Sequence, residues 1–199
     1  MITKLDIFIK ENIKEKPKYE FGCVMLELPN NEENNNWWNN DILSLIDDND
    51  LYIDTENPLR FGKEKEKHCT IKYGLHDWEF QLSELKKEVE SWGPIEISLS
   101  NITLFENELF DVVKFDVESD RLHELNKIIT DNYPCTDTYP DYHPHCTIAY
   151  VKKGMGKKYV KTFEEPYTFI CDTVKISGSG GDDRIEMYIN TNPSITQLK

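Results

Sequence analysis

Two short segments of the chain repeat the same pattern, a histidine followed two residues later by a threonine. The segment from His68 to Tyr73 reads HCTIKY and the segment from His145 to Tyr150 reads HCTIAY, so five of six positions agree. Imidazole titrates near neutral pH, so one histidine can take up a proton while another delivers one. A threonine hydroxyl can donate a hydrogen bond to an oxygen on which negative charge develops. Two such pairs facing one phosphate could cleave a phosphodiester by acid-base catalysis.

The segments that carry the two pairs are predicted to be strands, in which side chains at positions i and i+2 point to the same face. His68 and Thr70 then share one face with Lys72, while the cysteine, isoleucine and tyrosine of the motif share the other. His145 and Thr147 divide from their neighbours in the same way. This phase predicts a polar pair in a cleft and an apolar trio in the core, and it makes Lys72 a candidate phosphate contact.

Two simpler explanations of the histidines stay open. Both could be ordinary strand residues with satisfied hydrogen bonds, although the matched phase of the two copies argues against this. A structural zinc site could use the ligand types present, which are His143, His145, Cys69, Cys135 and Cys146. Cys146 is predicted to face away from His145, and the spacing is not that of a compact metal site. We therefore expect no metal and no cofactor.

The order of predicted elements indicates an α+β chain with two similar lobes. Strands are predicted over 21–28, 67–74, 95–105, 110–117, 144–151, 167–177 and 184–189, and helices over about 1–16, 37–46, 82–92 and 122–129. Each half holds one HCTI strand. We expect a single domain over residues 1–199, in which two antiparallel sheets face each other across a cleft, with helices on the outside and an added N-terminal helix.

Composition limits the range of partners. A chain of 199 residues with a net charge of −14 is a poor candidate for wrapping long nucleic acid, which requires many cationic contacts. No apolar run is long enough to cross a bilayer, so we expect neither a membrane anchor nor a signal peptide. The five cysteines form an odd set without CxxC spacing, which favours free thiols in a reducing cytoplasm.

The two His-x-Thr-apolar motifs, one per lobe, resemble the signature of the 2H phosphoesterase superfamily. The resemblance covers residues 21–189 and implies a bilobal α+β fold with metal-independent cleavage of phosphodiesters, often in cyclic or 2',3'-cyclic nucleotides. His68, Thr70, His145 and Thr147 match the motif residue by residue, and the resemblance implies that they are catalytic.

The sequence around the motifs, HCTIKYGLH at 68–76 and YHPHCTIAYVKKG at 142–154, is similar to that of the phage anti-CBASS nucleases. This resemblance implies an enzyme of viral immune evasion that hydrolyses a cyclic di- or trinucleotide messenger such as cGAMP in the cytoplasm of a bacterial host. Two rival functions stay open. One is a phosphodiesterase acting on RNA ends or 2',3'-cyclic phosphates, and the other is a protein that sequesters nucleotides without cutting them.

Residues near the motifs are candidates for binding substrate. Nucleobases stack on aromatic rings for about 1–3 kcal/mol per base, which favours Tyr142 and Trp78, and His143 lies at the rim of the second motif. Five lysines follow that motif, and such a basic segment could attract phosphate: Lys152, Lys153, Lys157, Lys158 and Lys161.

Overall fold

The computed structural model describes residues 21–55, 61–76, 78–137, 139, 141–178 and 184–189. Within these ranges the strands are β1 Phe21–Glu27, β2 His68–His76, β3 Ile95–Glu106, β4 Phe110–Glu118, β5 His145–Lys152, β6 Lys161–Cys171, β7 Thr173–Ser177 and β8 Arg184–Tyr188. The helices are α1 Glu32–Asn36, which continues as a π-helical turn Trp37–Ile42, α2 Trp78–Glu90 and α3 Asp120–Asn132. The helix predicted over 1–16 lies outside the described residues.

All strand pairs are antiparallel, and the strand order is β6-β3-β4-β5-β2-β1-β7-β8. This arrangement confirms the predicted α+β class, with one HCTI strand in each half. The two halves meet where β2 pairs with β5, and that pairing consists of Cys69 opposite Cys146. The two predicted sheets are therefore the two halves of one eight-stranded sheet, joined at this pair.

One face of the sheet is covered by helices and holds the core. Cys69 and Cys146 point to this face and are fully buried, as predicted. Helix α3 contributes the fully buried side chains Leu122, Leu125 and Ile129, whose spacing of three and four residues forms one helical stripe. Burying each such side chain contributes roughly 1.5–3 kcal/mol, so α3 is held to the sheet mainly by apolar packing. The opposite face, which we call the open face, carries the half-buried motif histidines and threonines and also a second, smaller apolar cluster of Phe61, Phe110, Val112 and Tyr150.

Strand β2 contains a register shift directly after the motif threonine. Against β1, Thr70 pairs with Met25 and Lys72 pairs with Val24, so Ile71 is an extra residue. An extra residue reverses the alternation of the side chains that follow it. Lys72 therefore turns to the covered face, and the predicted phase of Lys72 with Thr70 is wrong.

Strand β5 repeats this irregularity at the equivalent position. Against β4, Thr147 pairs with Lys114 and Ala149 pairs with Val113, so Ile148 is the extra residue. The shift turns the tyrosine that ends each motif to the face of the histidines, opposite to the predicted face, and Tyr150 is buried there in the smaller apolar cluster. The two copies thus share a backbone irregularity as well as a sequence.

A loop that follows α3 is held along β2 at Gly74. Gly74 has a φ of 97°, and its carbonyl accepts a hydrogen bond from the Thr136 amide at 2.9 Å. The His76 amide donates to the Pro134 carbonyl at 2.9 Å. This loop leads toward β5, so its attachment helps to fix the start of the second motif. In the described part of the chain, no helix combines the length and apolarity that crossing a membrane requires.

Candidate active site

His68 and His145 lie on neighbouring antiparallel strands at the centre of the sheet. Because Cys69 is opposite Cys146 and faces the core, the residues flanking both cysteines point to the open face. Antiparallel pairing puts His68 toward Thr147, and Thr70 toward His145. All four side chains are half-buried. Adjacent strands are about 4.8 Å apart, so the two His-x-Thr pairs lie close together on this face.

The two imidazoles are held in the same way. His68 Nδ1 lies 3.1 Å from the carbonyl oxygen of Glu66, and His145 Nδ1 lies 2.8 Å from that of His143. A carbonyl oxygen only accepts, so each Nδ1 must carry the hydrogen. Nε2 is then the nitrogen that is free of a proton when the ring is neutral. Each histidine is thus oriented so that Nε2 is the atom that exchanges protons.

The surroundings of His145 favour its neutral form. The ring of Phe105 contacts the imidazole edge to face, with centroids 4.8 Å apart and an interplanar angle of 84°. Burial lowers the pKa of His145 to about 4, and the positive charges of Lys114 and His68 act in the same direction. The His143 carbonyl and Asp116 oppose this shift. At neutral pH His145 is therefore ready to accept a proton.

A buried polar network on β3 and β4 supports this environment. Lys114 is 4% exposed, and its ammonium donates to Thr103 Oγ1 at 2.7 Å and forms an ion pair with Asp116. Thr103 Oγ1 in turn donates to Asp116 Oδ1 at 2.7 Å, and the ammonium lies 4.4 Å from the centroid of the Phe105 ring. In the pairing of β4 with β5, Lys114 is opposite Thr147 and Asp116 is opposite His145.

This network was not predicted from the sequence. The available signal is a lysine flanked by two acidic residues in the otherwise apolar strand FDVVKFDV. A charged group in a buried strand needs partners, and those partners come from elements that sequence spacing does not connect.

Lys72, the predicted phosphate contact, points toward α3. Its side chain is 2% exposed, and its ammonium donates to Thr130 Oγ1 at 2.6 Å and forms an ion pair with Asp137. The ammonium therefore joins β2 to α3 and to the loop that follows α3. Lys72 was expected to contact phosphate because it was predicted to share a face with His68 and Thr70. The structure places it on the opposite, covered face.

The other predicted binding residues occupy three different settings. The Tyr142 hydroxyl donates to the Thr70 carbonyl at 2.8 Å, and its ring meets His123 at 5.4 Å. Burial raises the pKa of Tyr142, so the phenol stays a donor that fastens the loop to β2. His143 is exposed beside the site, and its backbone holds His145. The predicted contact of Trp78 falls on a side chain outside the described part of the structure.

The lysines that follow the second motif are mostly engaged with acidic partners. Lys153 lies 3.2 Å from the fully buried Asp111, Lys157 lies 3.6 Å from Glu106, and Lys158 forms an ion pair with Asp50. Asp111 also accepts hydrogen bonds from the backbone amides at 154 and 156. This segment is therefore a capped turn, and the arrangement does not support a cationic funnel for phosphate.

Residues 81–183, just over half of the chain, match the family model of the 2'-5' RNA ligase superfamily. The matched region contains His145 and Thr147 and begins after His68 and Thr70. No curated protein is significantly similar to the chain in sequence. Among the described residues, no group of three or more His, Cys, Asp or Glu side chains is placed to hold a metal ion.

Several solved structures share the fold. Kluyveromyces marxianus Usb1 with uridine monophosphate is 11% identical, with a TM-score of 0.54 over 85% of this chain and 98% of that one. The protein TT0787 of Thermus thermophilus is 13% identical, with a TM-score of 0.55 over 85% and 95%. E. coli LigT complexed with 3'-AMP is 10% identical, with a TM-score of 0.54 over 87% and 97%. At such identities the likeness establishes the fold alone.

Proposed function

The chain belongs to the 2'-5' RNA ligase superfamily, a group of 2H phosphoesterases, and from this premise we propose that it cleaves the 3',5'-phosphodiester bonds of cyclic oligonucleotides. The observation that carries the proposal is the pair of His-x-Thr units on adjacent strands, with both imidazoles held through Nδ1. This arrangement offers two Nε2 atoms and two hydroxyls to one phosphate. Binding alone would not need two titratable groups.

The reaction begins with attack by a ribose 2'-hydroxyl on the adjacent phosphorus. His145 Nε2 takes the hydroxyl proton as the O2'–P bond forms, and His68 Nε2 delivers a proton to the 5'-oxygen as the P–O5' bond breaks. The products are a 2',3'-cyclic phosphate and a free 5'-hydroxyl. Water then opens the cyclic phosphate with the two histidines in exchanged roles.

His145 is assigned as the base in the first step because burial lowers its pKa to about 4, which keeps it neutral at working pH. His68 remains as the proton donor. The hydroxyls of Thr70 and Thr147 donate to the non-bridging oxygens, where charge accumulates in the transition state.

Two observations favour a small cyclic substrate. The net charge of −14 disfavours a long polyanion, and the sequences around both motifs resemble those of phage anti-CBASS nucleases. A second candidate is cleavage at RNA ends or of terminal 2',3'-cyclic phosphates. It is supported by the fold relatives, since the Usb1 structure holds uridine monophosphate and the LigT structure holds 3'-AMP.

The test is a panel of substrates incubated in the presence of a chelator: cyclic di- and trinucleotides, their 2'-deoxy counterparts, and linear RNA with a 2',3'-cyclic phosphate end. We expect cleavage of the cyclic ribonucleotides, a 2',3'-cyclic phosphate as the first product, and no cleavage of the deoxy compounds. Equal rates for ribose and deoxyribose substrates would show that water attacks directly. Turnover of the linear RNA alone would establish the second candidate, and tight binding without turnover would establish sequestration.

A further inference from the structure

A cavity of about 330 Å³ lies on the same open face as the catalytic histidines, over β1, β7 and β8. We propose that it binds a nucleobase of the substrate, specifically a base that presents N–H donors on its Watson–Crick edge, as guanine does. This inference rests on the proposed function, because it places one base of the cyclic oligonucleotide when a phosphate lies between His68 and His145.

The register of the strands locates the cavity relative to His68. His68 pairs with Glu27, Glu27 pairs with Thr173, and Thr173 pairs with Tyr188, so one row of side chains runs across four strands. Residues paired across strands share a face, and Glu27, Thr173 and Tyr188 all line the cavity. Neighbouring strands are about 4.8 Å apart, so the cavity begins about one strand from the catalytic histidine. A nucleoside attached to the bound phosphate can reach it.

The charges of the lining select against a second phosphate. Three carboxylates line the cavity, on Glu27, Asp172 and Glu186, against the single ammonium of Lys175. Lys175 forms an ion pair with Glu27 and lies 3.9 Å from Glu186 Oε2. The surplus of negative charge repels phosphate oxygens. Carboxylate oxygens only accept hydrogen bonds, so they match the ring N–H and exocyclic amino group of guanine.

Tyr188 provides a ring for stacking at the edge of this cavity. The residue is 71% exposed, a large exposure for an aromatic side chain in a strand. Its hydroxyl donates to Glu186 Oε1 at 3.0 Å, which holds the ring beside a carboxylate that keeps further acceptor sites. An exposed ring next to free acceptor positions can stack on a base and read its edge at the same time.

The test compares guanine with hypoxanthine, which lacks the 2-amino group. Cyclic di-GMP and cyclic di-IMP serve as substrates, and 3'-GMP and 3'-IMP serve as binding probes for the intact protein. We expect the Tyr188→Ala variant to raise KM for cyclic di-GMP by about tenfold with little change in kcat, as for loss of one stacking contact. The matched Tyr188→Phe variant, which keeps the ring, should stay within about threefold of the parent. Glu186→Gln should reduce the preference for guanine over hypoxanthine.

The outcomes separate the two proposals. Equal KM values for both substrates, together with an unchanged KM in Tyr188→Ala, would overturn the base site while leaving the phosphodiesterase intact. If no cyclic substrate is cleaved, weaker binding of 3'-GMP by Tyr188→Ala would still support the base site. Unchanged binding of 3'-GMP in that case would overturn it.

Discussion

His145 is placed among groups that act on its proton affinity in opposite directions. Phe105 shields the ring from water and Lys114 repels a proton, whereas Asp116 attracts one. The proposed base in the first step therefore depends on side chains from two other strands. Lys114 and Asp116 form an ion pair and act on the pKa of His145 in opposite directions. Removing the charge of either residue should therefore shift that pKa.

The pH dependence of kcat/KM tests this assignment. In the free enzyme the base must be neutral, so kcat/KM should fall at acidic pH as His145 takes up a proton at a pKa of about 4. Lys114→Met removes a positive charge, so the acidic limb should move to higher pH. Asp116→Asn removes a negative charge and should move it to lower pH. A shift in the same direction for both variants, each shown to be folded by circular dichroism, would contradict the assignment of His145.

At the scale of the elements, the strand that carries each motif depends on the loop packed beside it. A Cβ at Gly74 would lie 2.2 Å from the Thr136 carbonyl oxygen, and the φ of 97° disfavours any other residue there. The backbone of the loop and the backbone of β2 thus approach each other at a point where only glycine fits.

Gly74→Ala should therefore cost stability through two effects, the positive φ and the collision with Thr136. Gly93→Ala is the matched control, since Gly93 has a φ of 69° but a Cβ added there would meet no atom within 4 Å. We expect the control to lose about 1 kcal/mol and Gly74→Ala to lose at least about 2 kcal/mol. Urea denaturation of both variants provides the measurement. Equal losses would show that the loop moves freely away from β2.

The positions of most strands could be predicted from the sequence because they depend on local alternation, whereas the pairing of β2 with β5 in one sheet could not, because it joins segments far apart in the chain. The direction of Lys72 could not, since the extra residue at Ile71 appears only when β2 is paired with β1. The same limit applies to β6, which begins at Lys161 and not at 167 as predicted. Its first residues are largely exposed in an edge strand, so they lack the apolar pattern of a buried one.

Some features of the site also could not be predicted from the sequence near the motifs. His145 has neighbours on β3 and β4 that are distant in sequence, so the cause of its low pKa could not be inferred from the motif. Tyr142 is a candidate for stacking because it falls in a loop, and that role stays a prediction. The hydrogen bond from its hydroxyl to the Thr70 carbonyl could not be inferred from the sequence.

At the scale of the whole molecule, each half of the sheet contributes one His-x-Thr unit. The strand order places β2 and β5 side by side at the centre, with three further strands on each side. The open face extends from this centre across both halves, so the lobe that holds His68 provides the cavity under Tyr188, and the lobe that holds His145 provides Lys114. The proposed catalysis requires both halves at once.

The most direct test of the account is the rate of cyclic dinucleotide cleavage, in the presence of EDTA, by His68→Ala and His145→Ala compared with His123→Ala. His123 contacts Tyr142 and is exposed on α3, so it controls for the loss of an imidazole elsewhere. Each motif variant should lose about 10²–10⁴ in rate, as for removal of one general acid or base. His123→Ala should remain within about threefold of the parent, as expected for a histidine outside the acid-base pair. Parent-like rates in either folded motif variant, or activity that EDTA abolishes and one divalent metal restores, would contradict the account.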